Sequence, residues 1–226
     1  FSRSAARCDA GALRGERRVR RLATVRERPV IADAPPPDRK HVITGNRLYP
    51  PWPAGFEVAT FGMGCFWCSE NLYMKMPGVY STQVGYLGGD IANPSYHEVC
   101  TGATGHNEVV RVVYDPAVVS YRELLTVFWE RHDPTTLNRQ GHDVGTQYRS
   151  GIYFYSEDQR LAAEETKARF AKALEESGSA QGRQISTEIV PAPEFYIAED
   201  YHQQYDAKPN SRQYCGLRPL GVKLPM

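Results

Sequence analysis

The chain has 226 residues, 41% of them hydrophobic, which is enough to bury the core of one domain. No apolar run approaches the roughly 20 residues that a membrane helix needs, and no short basic start leads into an apolar stretch as in a secretory signal. Nine arginines fall within residues 1–29, so the rest of the chain, with 18 basic and 23 acidic residues, is mildly acidic. We therefore predict a soluble monomer that binds neither membranes nor nucleic acid.

Residues 1–50 have no sustained apolar period and run through RGERRVRRLATVRERP and ADAPPPDRK to RLYPPWPAGF. An Arg-rich leader suits a transit peptide, whereas three acids among residues 1–29 suit a plain disordered tail. We predict a flexible arm over residues 1–50 and one globular domain over 51–226.

From Phe56 onward the patterns are regular. Alternation or apolar runs predict strands in FEVATFGM, VYSTQVGYLGG, HNEVVRVVYDP, GIYFYS and ISTEIVPA. Helical spacing predicts helices in CFWCSENLYMKM, in YRELLTVFWERHD behind a capping box of Ser120 and Glu123, in EDQRLAAEETKARFAKALEESG up to Gly178, and in PEFYIAEDYHQQYDAK. Residues 210–226 are predicted as irregular coil. Strands and helices do not alternate strictly, so the prediction is an α+β fold around one antiparallel or mixed sheet.

Five cysteines are scattered along the chain: Cys8, Cys65, Cys68, Cys100 and Cys215. An odd number in a chain of this size indicates free thiols in a reducing compartment rather than a disulfide framework. We expect the protein in the cytoplasm or in a mitochondrion or plastid, and not secreted.

Cys65 comes after a strand and two glycines, directly before the predicted helix. Unpaired N–H groups at a helix N-terminus favour the thiolate, which makes Cys65 a candidate nucleophile rather than an inert buried thiol.

The spacing of Cys65 and Cys68 also matches disulfide-exchange motifs and half of a zinc site. Only His97, Cys100 and His106 cluster elsewhere, and their spacing fits no common zinc pattern. We predict no metal, and the irregular glycine clusters imply no nucleotide cofactor.

Polar residues gather in TGHNEVVRVVYDP and QGHDVGTQYRSGIY. Glu108, at the start of an apolar strand, is either solvated at an edge or buried with a raised pKa that makes it a proton donor. Tyr86, Asp143 and Tyr148 could hold an oxygen of a substrate near the thiolate.

The stretches FGMGCFW, GVYSTQVGYLGG, NPSYHEVCTGATGHNEVVRVVYDP, HDPTTLNRQGHDVGTQYRSGIYFY, AEDYHQQY and YCGL follow one another between about residues 56 and 220. Together they resemble the methionine sulfoxide reductase A family. The resemblance implies a ferredoxin-like α/β sandwich, a catalytic domain over residues 51–226, and reduction of the S epimer of methionine sulfoxide, in proteins and as the free amino acid.

By this resemblance Cys65 is the nucleophile and Glu108 is the general acid. Tyr86 and Tyr148 would bind the sulfoxide oxygen, and Asp143 would orient that network. Phe66 and Trp67 would form the apolar pocket for the substrate methyl group, although Trp67 could also be a core aromatic. His202 in YHQQY could be taken for a base, but a positioning role is the simpler interpretation.

The resemblance further implies that a second thiol captures the Cys65 sulfenic acid and that thioredoxin, or dithiothreitol, reduces the resulting disulfide. Cys215 in YCGL matches the resolving position. The chain departs from the family in having Cys68 where Gly is common and in lacking a second tail cysteine. We expect Cys215 to resolve first, with Cys68 as the alternative.

Two other functions remain open at this point. The protein could be a thiol-disulfide oxidoreductase that uses Cys65 and Cys68, or a redox sensor whose thiols report oxidants without turning over sulfoxide. Oxidised proteins or peptides and thioredoxin are the partners expected for the reductase.

Overall fold

The computed structural model describes residues 33–211 and 215–225. Within these ranges the strands are β1 Glu57–Met63, β2 Val79–Leu87, β3 Asn107–Tyr114, β4 Arg139–Gln140, β5 Asp143–Val144, β6 Ser150–Phe154, β7 Glu188–Pro191 and β8 Phe195–Ile197. The α-helices are α1 Phe66–Tyr73, α2 Tyr96–Cys100, α3 Tyr121–Arg131 and α4 Glu157–Ser177, and 3₁₀ helices cover Thr146–Tyr148, Asp200–His202 and Tyr205–Ala207. No helix in this part of the chain is long and apolar enough to cross a membrane.

Six strands form one sheet in the order β7-β6-β1-β3-β2-β8, and β4 pairs with β5 in a separate hairpin. Neighbouring strands of the large sheet are antiparallel except β6 and β7, which are parallel. All eight residues of the central strand β3 are buried, as expected for a strand covered on both faces. The predicted α+β fold around a mixed sheet is confirmed.

The helix boundaries follow local chemistry. The Ser120–Glu123 capping box begins α3 as predicted, and Gly178 ends α4 in the left-handed region at φ 67°. Ser95 and Glu98 form a second capping box that begins α2, a short helix that the sequence patterns did not indicate.

Helices α3 and α4 pack on the sheet and supply its apolar core. Phe128 and Trp129 of α3 are fully buried, and the Trp129 ring lies 5.8 Å from that of Phe170 on α4. The Trp129 indole N–H donates to Thr166 Oγ1 at 2.9 Å, which satisfies its polar atom inside the core. Burial of each such side chain is worth about 1.5–3 kcal/mol.

The prediction of a helix over PEFYIAEDYHQQYDAK is wrong. Phe195–Ile197 pairs with β2 as strand β8, and two 3₁₀ helices follow it. Gln204 adopts a left-handed conformation at φ 47°, which interrupts any helix there. Side-chain contacts to distant elements hold this segment in place and override its helical pattern.

The end of the predicted arm packs against the domain. Leu48 is fully buried, and His41, 1% exposed, contacts Thr82 Oγ1 through Nε2 at 2.9 Å. An isolated bridge joins Lys40 and Arg47. The segment from about residue 40 to residue 50 is therefore part of the folded body, because these side chains bury against β2 and its neighbours. Residues 1–32, including Cys8, lie outside the described residues.

Candidate active site

Cys65 is the N-cap residue of α1, and its side chain is 8% exposed. A hydrogen bond from the Cys68 thiol lowers the pKa of Cys65, and the N–H groups of Cys68 and Trp67 lower it further, against the opposing effects of burial and of the Asp143 charge. The helix N-terminus therefore stabilises the thiolate, as the sequence predicted for this position.

The three cysteines of the site form a chain of contacts from the interior to the surface. Cys68 is 3% exposed, and hydrogen bonds to Cys215 and Cys65, together with burial, raise the pKa of its thiol. Cys215 is exposed, and the contact with Cys68, supported by the Leu217 N–H and the Arg218 charge, lowers the pKa of Cys215 to about 6. Cys68 thus lies between the buried thiolate and the accessible one.

Glu108, the second residue of β3, is buried beside this helix N-terminus. Burial and the nearby Cys65 charge raise the pKa of Glu108 well above its usual range, and the hydrogen bond from Phe66 opposes them only in part. The Phe66 N–H donates to Glu108 Oε2 at 3.1 Å, which leaves Oε1 to carry the proton. The structure thus places a carboxyl group with a raised pKa next to a thiol with a lowered pKa, in the interior and not at a solvated edge.

Tyr86 lies directly across from Glu108 in the register of β2 and β3. Its hydroxyl is buried and donates to Glu199 Oε2 at 3.0 Å, while Glu199 Oε1 accepts the backbone N–H of Tyr96 at 2.8 Å. Glu199 is 4% exposed and was not among the residues that sequence reasoning singled out. It follows β8 within AEDYHQQY, a stretch whose predicted helix concealed its position.

Aromatic rings line the side of the site formed by α1. The Phe66 ring is buried 5.8 Å from the Tyr86 ring, and Trp67, half-buried, stacks on Tyr205 at 4.0 Å with an interplanar angle of 14°. The Trp67 indole N–H donates to His202 Nδ1 at 3.1 Å. Burial lowers the pKa of His202 to about 3, so the ring is neutral and acts as an acceptor. Tyr205 is a second residue that sequence reasoning missed.

Gln203 extends the sheet with its side chain. Its Oε1 accepts the Val84 N–H at 2.9 Å, and its Nε2 donates to the carbonyls of Val84 and Ala198 at 2.9 and 2.8 Å. The amide group therefore takes the place of a backbone partner next to β8 and fixes the segment that carries His202 and Tyr205.

Tyr148 and Asp143 come from the region of the small hairpin and are both partly exposed. Burial, followed by the Glu108 charge, raises the pKa of Tyr148 so that its hydroxyl remains a donor. The Asp143 charge acts on Cys65, Glu108 and Tyr148, which places all of these groups around one site.

Cys100 is exposed at the end of α2. His106 makes structural contacts, with Nε2 2.7 Å from the Ile91 carbonyl and Nδ1 accepting the Gly89 N–H at 3.2 Å. Across residues 33–211 and 215–225, no group of three or more His, Cys, Asp or Glu residues is arranged to hold a metal ion.

The sequence is similar to one protein family over most of its length. A sequence model of the family described as peptide methionine sulfoxide reductase matches residues 57–222. Peptide methionine sulfoxide reductase MsrA 1 of Synechocystis sp. is 57% identical over 195 residues, which cover 86% of each chain. The MsrA enzyme of Brucella anthropi is 54% identical over 198 residues, covering 88% of this chain and 89% of that protein.

Solved structures are similar to the fold described above. Methionine sulfoxide reductase A of Corynebacterium diphtheriae superimposes with a TM-score of 0.68 at 38% identity, over 87% of this chain and 100% of that one. Mxr1 of Saccharomyces cerevisiae in reduced form gives a TM-score of 0.60 at 39% identity, over 73% and 91% of the two chains.

Proposed function

The chain belongs to the peptide methionine sulfoxide reductase family, and we propose that it reduces the S epimer of methionine sulfoxide, in proteins and as the free amino acid. One observation carries the chemistry: a thiol whose pKa is lowered, Cys65, lies beside a buried carboxyl whose pKa is raised, Glu108. A sulfoxide sulfur is a poor electrophile until its oxygen is protonated, so the reaction needs this combination. Family membership does not favour the alternative of a thiol-disulfide oxidoreductase.

In the first step the Cys65 thiolate attacks the sulfoxide sulfur while Glu108 gives its proton to the sulfoxide oxygen. The attack forms a transient bond between the two sulfurs. This bond and the sulfur–oxygen bond of the substrate then break as the hydroxyl group passes to Cys65, so methionine leaves as the thioether and Cys65 becomes a sulfenic acid. Cys65 is thereby oxidised by two electrons and the substrate sulfur is reduced by two.

We place the substrate methyl group against Phe66 and Trp67, where the aromatic rings form an apolar wall. Tyr148 donates a hydrogen bond to the sulfoxide oxygen. The Tyr86 hydroxyl donates to Glu199 in this structure, so Glu199 fixes its orientation, and the hydroxyl has no second proton to donate to the sulfoxide oxygen. Asp143 orients the hydroxyl network by its charge.

The contacts of Cys68 favour an order of resolution different from the one that the sequence suggested. Cys68 touches both other sulfurs, so we propose that it captures the Cys65 sulfenic acid first, forming a Cys65–Cys68 disulfide and releasing water. The contact with Cys215 and burial still raise the pKa of Cys68 once Cys65 is oxidised, but the hydrogen bond to the Cys65 thiolate and its charge are lost, which makes Cys68 easier to ionise.

Cys215 then attacks the sulfur of Cys68 and expels Cys65 as a thiolate. Cys65 is the leaving group because the attack is on Cys68, and the N–H groups of Cys68 and Trp67 stabilise the thiolate that leaves. The Cys68–Cys215 disulfide has one exposed member, Cys215, which a dithiol reductant of the thioredoxin class can reach.

Consumption of a racemic methionine sulfoxide peptide with dithiothreitol, followed by chiral chromatography, tests this function. We expect the parent protein to consume only the S epimer and Cys65→Ser to consume neither. A folded parent that consumes no sulfoxide, or one that reduces insulin disulfides instead, would contradict the proposal.

A further inference from the structure

Glu70 is a buried carboxyl group on α1 that the proposed reaction does not use. Its side chain is 1% exposed, yet three donors converge on it. Thr82 Oγ1 and Gln204 Nε2 donate to Oε1 at 2.8 and 2.9 Å, and the backbone N–H of Gln204 donates to Oε2 at 2.7 Å. Because each partner gives a proton, the ionised carboxylate is the form that accepts from all three most strongly.

These contacts hold Gln204 in an unusual conformation. Gln204 is a non-glycine residue in the left-handed region, at φ 47° and ψ 44°, and it is fully buried. Such a conformation persists only where the surroundings enforce it. Both its backbone N–H and its side-chain amide are bound to Glu70, so the carboxylate is the group that enforces it.

The next residue, Tyr205, packs against Trp67, one of the two rings that we place against the substrate methyl group. Its ring stacks on Trp67 at 4.0 Å, and Trp67 lies one helical turn before Glu70 on α1. Helix α1 therefore carries both Trp67 of the pocket and Glu70. The Glu70 carboxylate binds Gln204, the neighbour of Tyr205, which stacks on Trp67.

We propose that Glu70 is a positioning residue that holds the Trp67–Tyr205 wall in place for the substrate. This inference rests on the proposed function and adds a determinant of substrate affinity. It assigns Glu70 no contact with the reacting atoms.

The charges around Glu70 set a pH dependence. Burial raises the pKa of Glu70 to about 7, opposed by the hydrogen bonds from Gln204 and Thr82 and by the Lys208 charge. His41 donates from Nε2 to Thr82 Oγ1, but burial lowers the pKa of His41 to about 4, so it stays neutral. As the pH falls through about 7, Glu70 becomes protonated, its oxygens become weaker acceptors, and its contacts with Gln204 weaken.

The test compares the parent protein with Glu70→Gln, using a methionine S-sulfoxide peptide and dithiothreitol. The glutamine side chain has the same shape as glutamate, but its NH₂ group would face one of the donors from Thr82 or Gln204. We expect KM to rise about tenfold at pH 8, since a buried donor loses its partner, while kcat stays within about twofold. In the parent KM should rise as the pH falls from 8 to 6, and in the variant it should not.

Thr166→Val is the matched control, because it removes a buried hydrogen bond to Trp129 far from the pocket. It should lower Tm and leave KM unchanged. A parent-like KM in Glu70→Gln, or a fall in kcat alone, would overturn the positioning role. A parent without any turnover would instead refute the proposed function.

If Glu70→Gln does not fold, Thr82→Val decides, since it removes one of the three donors and leaves both contacts of Gln204. A KM about two- to threefold above the parent would support the inference, because one hydrogen bond to a charged group is lost. An unchanged KM would overturn it.

Discussion

Two regions that pack against the sheet are built on different principles. The layer of α3 and α4 is apolar, with Phe128, Trp129 and Phe170 fully or almost fully buried. The layer between α1 and residues 198–208 buries polar groups instead, among them Glu70, Glu199 and their amide and hydroxyl partners. The first layer stabilises the fold through area removed from water, whereas the second fixes groups in position through directed hydrogen bonds.

The functional groups are concentrated in the polar layer. Contacts in the polar layer join residues far apart in sequence: 113 positions separate Tyr86 from Glu199, and 135 separate Trp67 from His202. Changes in the apolar layer should therefore alter stability, while changes in the polar layer should alter turnover or affinity.

The largest expected effect comes from breaking the chain of thiols. Cys215→Ser should complete one turnover, accumulate the Cys65–Cys68 disulfide and lose all turnover supported by thioredoxin, because the accessible sulfur is gone. Peptide mapping under non-reducing conditions measures the bond, and Cys100→Ser serves as the control. A Cys65–Cys215 bond in the parent after one turnover, with Cys68 free, would exclude the proposed order.

Glu108→Gln should lower kcat/KM by about 10²- to 10⁴-fold, because the amide cannot donate the proton. In the parent kcat/KM should fall at acid pH as the Cys65 thiolate is protonated. It should also fall at alkaline pH as Glu108 ionises through its raised pKa. The variant should lose the alkaline fall. Glu57→Gln, exposed at the start of β1, should behave as the parent.

Phe128→Ala tests the apolar layer. The substitution should lower the free energy of unfolding by about 3–5 kcal/mol, because it opens a cavity in the core. At temperatures where the variant is folded, kcat should remain near that of the parent. Urea unfolding measures the free energy of unfolding, and steady-state kinetics on the same preparation measure kcat. A tenfold loss of kcat in the folded variant would show that the apolar layer also contributes to turnover.

Glu199→Gln should have the smallest effect, a fall in kcat of about tenfold, because Tyr86 loses its charged acceptor. Combining it with Tyr86→Phe in a double-mutant cycle sharpens the assignment. If Glu199 acts through the Tyr86 hydroxyl, the second substitution should add little to the first. Fully additive losses would show that Glu199 acts elsewhere.

The apolar layer could be predicted from the sequence because its signals are local. The capping box of Ser120 and Glu123 and the spacing of Phe128 and Trp129 are complete within a dozen residues, and the structure has them as predicted. The position of Cys65 before a helix was predictable for the same reason.

The polar layer could not be predicted in this way. Glu70 lies in a helical pattern where a charged residue is normally solvated, and its contacts with Thr82 and with Gln204, 134 positions away, explain its burial. Residues 195–208 have helical spacing, yet pairing with β2 and the contacts of Gln203 determine their conformation. Contacts between segments that are far apart in the sequence produce no periodic pattern in it.

The side-chain amides of Gln203 and Gln204 also bear on the tendency of the protein to aggregate. An open strand edge offers its N–H and C=O groups to any other chain and so invites aggregation. Beyond the short β8, the edge of β2 has Val84 paired with Gln203 and the Thr82 carbonyl bound by Gln204. The Tyr80 carbonyl is bound by side chains of the segment before β1. The segment that shapes the pocket thus also covers this part of the β2 edge, where a strand from another molecule could otherwise pair.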